Sequence, residues 1–217
     1  MSKSQIPIQL VEDDLHLAQS ISGLLATQDH ACKIYPNAEE YIVHIKSNPA
    51  NLAQTSCLIA DVRLPGMSGI DLMHLMHKEH PKCVWPTILI TGHGDIAMAV
   101  NSLQEGAFAF LTKPFDPYAL ADKVSQAVVK SEELQKTLEF LSEFDAHSQH
   151  LTDQEKIIME RLLHNQTSRE IAEALGNSTR TIEVHRAAIF KKMGVTSLMQ
   201  LAQIKERHDL LSKAEKH

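Results

Sequence analysis

The stretch Leu58-Ile59-Ala60-Asp61-Val62-Arg63-Leu64-Pro65-Gly66 decides how the chain is read. An apolar run ends abruptly in a carboxylate, and Pro and Gly follow within five residues. Apolar runs bounded by turn residues read as buried strands. Asp61 then stands at the C-terminal tip of a strand, where open α/β sheets place their ligands. A lone aspartate in a loop more often caps a helix, so the reading depends on the flanking chain.

On the N-terminal side, Ile6–Val11 reads as a short strand running directly into Glu12, Asp13 and Asp14. An amphipathic helix follows, with Leu17, Ile21, Leu24 and Leu25 on one face. Asp14 is expected in its first turn, facing the helix dipole. Ala31–Tyr35 suits a second strand and Ala38–Lys46 a helix, with Ser47–Ser56 a long loop. On the C-terminal side, Ile70, Leu72, Met73, Leu75 and Met76 fit a third helix ending near His80-Pro81. Val84–Ile90 is a strand running to Thr91-Gly92, and a helix is expected from about Asp95 to Glu105, with Gly106 as its C-cap. Phe108–Leu111 is the fifth strand, followed by Lys113-Pro114. Five strands alternating with five helices predict a doubly wound parallel sheet of flavodoxin-like α/β type, covered on both faces.

This order brings Glu12, Asp13, Asp61, Thr91 and Lys113 to one edge of the sheet. Carboxylates gathered there repel one another unless a cation joins them, and hard oxygen ligands suit Mg²⁺. A carboxylate can also act as a nucleophile towards a phosphoryl group. A metal ion, a lysine and a hydroxyl would then gather the phosphate oxygens.

Glu12-Asp13, Asp61 with Leu64-Pro65-Gly66, Thr91-Gly92-His93-Gly94-Asp95 and Lys113-Pro114-Phe115 resemble the receiver domain of two-component response regulators. The resemblance implies that Asp61 accepts phosphate from a sensor histidine kinase. It implies Mg²⁺ bound by Asp13, Asp61 and the backbone carbonyl of Arg63, with Glu12 acting through water. It further implies that Thr91 bonds the phosphate, that Lys113 pairs with it and precedes a cis proline bond, and that Phe110 is an aromatic switch.

From Pro117, apolar or small residues recur at Leu120, Val124, Val128, Ser131, Leu134, Leu138 and Leu141. With no Pro or Gly between Tyr118 and His150, this reads as a long helix. Its apolar stripe suits either a seam with another copy or the output domain, or packing on its own domain. Ser142–His150 is polar enough for a short hinge.

Beyond it lie two capping boxes, Thr152-Asp153-Gln154-Glu155 and Thr167-Ser168-Arg169-Glu170. Gly176 ends the second of the helices they open, Asn177-Ser178 starts a third over Thr179–Met193, and Ser197–Ile204 is a fourth. Two short helices joined at Leu175–Ser178 have the size and turn of a helix-turn-helix. The wording Ser168-Arg169-Glu170-Ile171-Ala172, Thr181-Ile182-Glu183-Val184-His185-Arg186 and Lys192-Met193-Gly194-Val195 is similar to the LuxR-type DNA-binding domain, and the whole chain resembles the FixJ/NarL branch of response regulators, on the FixJ side. That resemblance implies Glu183, Val184 and Ala187 facing base edges and Arg180, Arg186, Lys191 and Lys192 contacting phosphates.

The expected organisation is a receiver at 1–124, a helical linker at 125–150 and a helix-turn-helix domain at 151–217. Charge is divided to match. The last 67 residues carry 11 Lys and Arg against 9 Asp and Glu, while the whole chain is −6. The N-terminus meets acid too soon for a signal peptide and no apolar run approaches the ~20 residues of a membrane span, so the protein is expected in the cytoplasm with no membrane contact. Cys32, Cys57 and Cys83 read as reduced thiols. His74 and His77 share a helix face without the further ligands a zinc site needs. The expected function is a phosphorylation-dependent transcriptional regulator, not an enzyme. Its partners would be a sensor histidine kinase, double-stranded promoter DNA, a second copy of the chain on phosphorylation, and RNA polymerase. Two alternatives are an aspartyl-phosphate enzyme and a regulator of protein or RNA. Arg63 stands where such an enzyme would want a second carboxylate.

Overall fold

The computed structural model describes residues 7–47, 55–80, 83, 85–92 and 96–214, with side chains described for 100–213 of the last range. The chain divides into two compact units, Met1–Lys136 and Thr137–His217. Among the described residues, no helix is long and apolar enough to cross a membrane.

The first unit alternates β1 (Ile8–Val11), α1 (Leu15–Ala26), β2 (Cys32–Tyr35), α2 (Ala38–Ser47), β3 (Leu58–Asp61), α3 (Gly69–Glu79), β4 (Thr87–Thr91), α4 (Ile96–Gln104), β5 (Ala109–Thr112) and the start of α5 (Pro117–Gln149). All five strands are parallel, in the order β2-β1-β3-β4-β5. β1, β3 and β4 are buried at every position, as central strands covered on both faces must be. One core, with Ile8, Leu10, Ile59, Ile88 and Ile90, takes Ile21 and Leu25 from α1 and Leu120, Val124 and Val128 from α5. The other face packs Val11, Ala60 and Leu89 against Tyr41 and Ile45 of α2 and Leu72 and Met73 of α3. The apolar stripe of α5 thus serves its own sheet at least as far as Val128. Ser131, next on that stripe, is buried and accepts the Ser56 N–H at 3.1 Å.

Asp14 caps α1 rather than lying in its first turn. Its carboxylate accepts the N–H groups of His16 and Leu17 at 2.9 and 3.1 Å, satisfying donors that the helix itself leaves unpaired. Ile6, Pro81, Val84, His93-Gly94-Asp95 and most of the expected 47–56 loop lie outside the described residues. The three cysteines are free, and burial pushes the Cys32 and Cys83 thiols up to about 11. His74 lies 3.2 Å from Glu105, an ion pair when the imidazole is protonated.

The second unit contains the end of α5, then α6 (Asp153–Leu163), α7 (Ser168–Leu175), α8 (Thr179–Lys192) and α9 (Leu198–Ala214). Both expected capping boxes form, at Thr152/Glu155 and Thr167/Glu170. Gly176 ends α7 at φ 65°, a left-handed conformation that glycine adopts without a Cβ clash. Ile158, Leu162, Ile171, Ile182, Ile189 and Leu201 form the core. Two expectations fail here. Ser142–His150 is no hinge, because α5 continues to Gln149 and buries Phe144 in that core. α9 runs ten residues past Ile204 to Ala214, because its second half has partners on α5. Arg207 lies over the Phe140 ring at 4.1 Å, and His208 stacks on Phe144 at 4.2 Å.

Candidate phosphoacceptor and nucleic-acid sites

Strand order reverses between β1 and β3, and ligands of open parallel sheets bind outside the strand ends at such a point. The structure brings Glu12, Asp13 and Asp61 together there, with carboxylate oxygens within 4.8 Å of one another. Glu12 and Asp61 are buried and Asp13 is exposed. Lys113 Nζ bridges the two buried acids, 2.5 Å from Asp61 Oδ2 and 2.7 Å from Glu12 Oε2. Three carboxylates and one ammonium leave a deficit of two positive charges, so the donor set fits a divalent cation with oxygen ligands.

Burial pushes the Glu12 carboxyl up, against the pull of Lys113 and the Asp14 N–H. Burial also opposes the Lys113 ammonium, but hydrogen bonds to Asp61 and Glu12 outweigh it and raise its pKa above the usual lysine range. Thr91 is fully buried at the tip of β4, and its carbonyl accepts the Lys113 N–H at 2.7 Å. The Lys113-Pro114 bond is cis. Phe110 is half-buried on β5, against the core that holds Tyr41 and Leu89.

Sequence reasoning missed three features of this site. The Arg63 N–H donates to Asp61 Oδ1 at 2.9 Å. Gly69 packs so tightly that a Cβ there would lie 2.3 Å from the Asp61 carbonyl oxygen. Glu39 from α2 accepts the Met67 N–H at 3.0 Å, just past the expected turn at Gly66, which has φ 82°. A glycine just after the Leu64-Pro65-Gly66 turn was the one available signal; backbone donors leave none.

In the second unit, α7 and α8 meet at the Gly176 turn, and Ser178 caps α8. Ile182 and Ile189 point into the core. Arg180, Val184, Ala187 and Lys191, at spacings of four, three and four, are exposed along one face. Val184 is 65% exposed. Glu183 accepts a short hydrogen bond from the Ser168 hydroxyl and lies 3.8 Å from Arg186. Arg186 is half-buried over the Phe190 ring, at 5.4 Å. Lys192 is paired within the domain: its ammonium binds both carboxylate oxygens of Glu155, at 2.9 and 2.6 Å, while its side chain stays partly exposed.

A parallel sheet with an acid-and-lysine rim, followed by a helix-turn-helix unit, defines a response regulator. Residues 8–125 match the response regulator receiver domain and residues 149–205 match the bacterial regulatory proteins of the luxR family, and the chain belongs to these families. It is 29% identical to the transcriptional regulatory protein FixJ of Bradyrhizobium diazoefficiens, over 94% of this chain and 97% of that protein. It is 32% identical to the C4-dicarboxylate transport transcriptional regulatory protein DctR of Rhodobacter capsulatus, over 91% and 98%. The solved structure of the response regulator StyR superimposes with a TM-score of 0.83 at 29% identity, covering 94% of this chain and all of that one. The protein is a phosphorylation-dependent transcriptional regulator of a two-component system.

Proposed function

We propose that Asp61 is the phosphoacceptor, taking the phosphoryl group from a phosphohistidine of a sensor kinase. One Asp61 carboxylate oxygen attacks phosphorus, the P–N bond breaks and the imidazole leaves. The arrangement that carries this reading is Asp61 held between the Arg63 N–H and the Lys113 ammonium. Both donors are placed to receive phosphoryl oxygens as charge builds on them. Asp13 and Asp61, with the Arg63 carbonyl and with Glu12 through water, would hold Mg²⁺, which supplies further charge neutralisation. Thr91 would bond the new phosphate from the tip of β4. Arg63 occupies the place where an aspartyl-phosphate hydrolase would need its second carboxylate, which supports a switch rather than an enzyme.

Leu17, Ile21 and Leu24 of α1 border an open groove of about 670 Å³ with Pro114, Phe115 and Pro117, and Lys113 lies at its wall. An apolar groove beside the acceptor suits the kinase surface that presents the donor histidine. The phosphate can shift the protein only by stabilising one state over another. In this reading Lys113 gives up Glu12 for phosphate, and Phe110 repacks beneath the face of α4, β5 and α5. Val100, Leu103 and Tyr118 are exposed there, which suits pairing with a second copy. The paired α8 helices would then enter successive major grooves of promoter DNA. Arg180, Arg186 and Lys191 would hold phosphates, while Glu183, Val184 and Ala187 face bases and Lys192 positions the helix. Such a regulator works in the cytoplasm and would act on RNA polymerase.

Labelling with acetyl phosphate and Mg²⁺ tests this. Wild-type protein should take up one phosphate on the peptide containing Asp61, and Asp61→Asn none. Label retained by the Asn variant would overturn the assignment.

A further inference from the structure

Resting on the DNA-binding reading above, we propose that Glu183 selects cytosine at one position of each half-site. The observation is the asymmetry of its carboxylate. Ser168, the first residue of α7, donates its hydroxyl to Oε1, and Arg186 Nη1 lies 3.8 Å from the same oxygen. Among the described residues, Oε2 has no hydrogen-bond partner. The side chain is half exposed and lies in the second turn of α8, which begins at Thr179. In a helix-turn-helix, that end of the second helix meets base edges.

A carboxylate locked through one oxygen offers the groove a single, fixed acceptor. Its electrostatic preference is sharp. Guanine presents two acceptors in the major groove and thymine one acceptor and a methyl, so both oppose a negative oxygen. Adenine offers its N6 amino group beside the N7 acceptor, which also repels the carboxylate. Cytosine offers the N4 amino group with no acceptor of its own alongside. The exposed Val184 and Ala187 flank Glu183 on α8 and carry no charge to compete for that amino group. Ser168 is a positioning residue, since it acts by holding Glu183 Oε1.

The test is selection of binding sites from randomised duplex DNA by the full-length chain treated with acetyl phosphate and Mg²⁺. The wild type should enrich cytosine at one position of each half-site by about tenfold over other bases. Glu183→Lys should change that position to guanine, because an ammonium donates to O6 and N7, and leave the others unchanged. Ser168→Ala should keep the preference for cytosine but weaken it several-fold at that position alone. Enrichment of adenine there would overturn the inference. So would a Glu183→Lys variant that binds every sequence more tightly with unaltered base preference. If the wild type enriches a motif indifferent to Glu183, only this inference falls; if it enriches no motif, the DNA-binding reading falls with it.

Discussion

Lys192 and Glu155 are bound to one another across 37 residues of chain, joining the C-terminal end of α8 to the first turn of α6. Glu155 is at the same time the acidic member of the Thr152 capping box, accepting the Thr152 N–H at 2.7 Å. One carboxylate thus closes a helix start and anchors α8.

Lys192→Ala should therefore act on stability rather than on DNA charge. It leaves a buried carboxylate without its ammonium, which costs about 2 kcal/mol. Urea unfolding of the full chain should show that loss, while the salt dependence of DNA binding keeps its slope. Lys191→Ala should do the reverse, lowering that slope by about one with stability unchanged.

The same pair predicts a pH dependence. Burial tends to raise the Glu155 pKa, but the hydrogen bonds from Lys192 and Thr152 outweigh it and hold the carboxyl below its usual value. A depressed carboxyl gives stability that is present above the ordinary carboxylate pKa and lost as pH falls through the folded value. The wild type should lose stability more steeply than Glu155→Gln as the solution is acidified below about pH 4.5, the unperturbed value. Parallel curves for the two proteins would contradict this.

Gly69 and Gly23 should respond to alanine with opposite signs. A Cβ on Gly69 meets the Asp61 backbone at 2.3 Å, whereas one on Gly23 meets nothing within 4 Å. Gly69→Ala must displace α3 or β3, costing about 1–3 kcal/mol, and is expected to slow uptake of phosphate from acetyl phosphate. Gly23→Ala, inside α1, should gain roughly 0.5–1 kcal/mol. Thermal melts of both variants read the difference.

Loss of an acidic ligand should appear before any phosphate is added. Mg²⁺ raises the melting temperature by mass action if it binds the folded state. Glu12→Gln should weaken that effect by a factor of about 10–100 in Mg²⁺ concentration, and Asp13→Asn by at least as much. A shift equal to the wild type's in both would mean that the metal sits elsewhere.

Kinase recognition should be separable from the chemistry. Ser20 is exposed on α1 beside the groove, so Ser20→Arg fills the groove without touching the core. Phosphotransfer from a kinase that serves the wild type should slow by about tenfold, equivalent to ~1.4 kcal/mol, while labelling by acetyl phosphate is unaffected.

The strands and the acidic rim were legible because their signals are local. Leu58–Ala60 is an uninterrupted apolar run, and a strand buried on both faces needs such a run. Glu12, Asp61, Thr91 and Lys113 each sit at a strand's end, so alternation alone delivers them to one edge. What stayed hidden depends on partners distant in sequence. Lys205-Glu206-Arg207-His208 looks like a solvated tail until Phe140 and Phe144 are placed beside it. Phe144 itself lies in a polar segment that reads as a hinge, yet it is buried in the second core. Lys192 carries no mark that separates it from Lys191, since Glu155 is two helices back in the chain. The Asp14 cap was misplaced by one position, a shift that only backbone dihedrals resolve.

The groups around Asp61 are fixed to strand tips by a continuous ladder of main-chain bonds, whereas the groove beside them is walled by one helix and a short connection. On the proposed reading, reaction and acquaintance are housed on different pieces of chain. If that groove receives the kinase, replacing a few side chains on α1 would re-address the molecule to another sender and leave the acids around Asp61 untouched. A second copy of the chain would then need new side chains on α1 alone to answer a different signal.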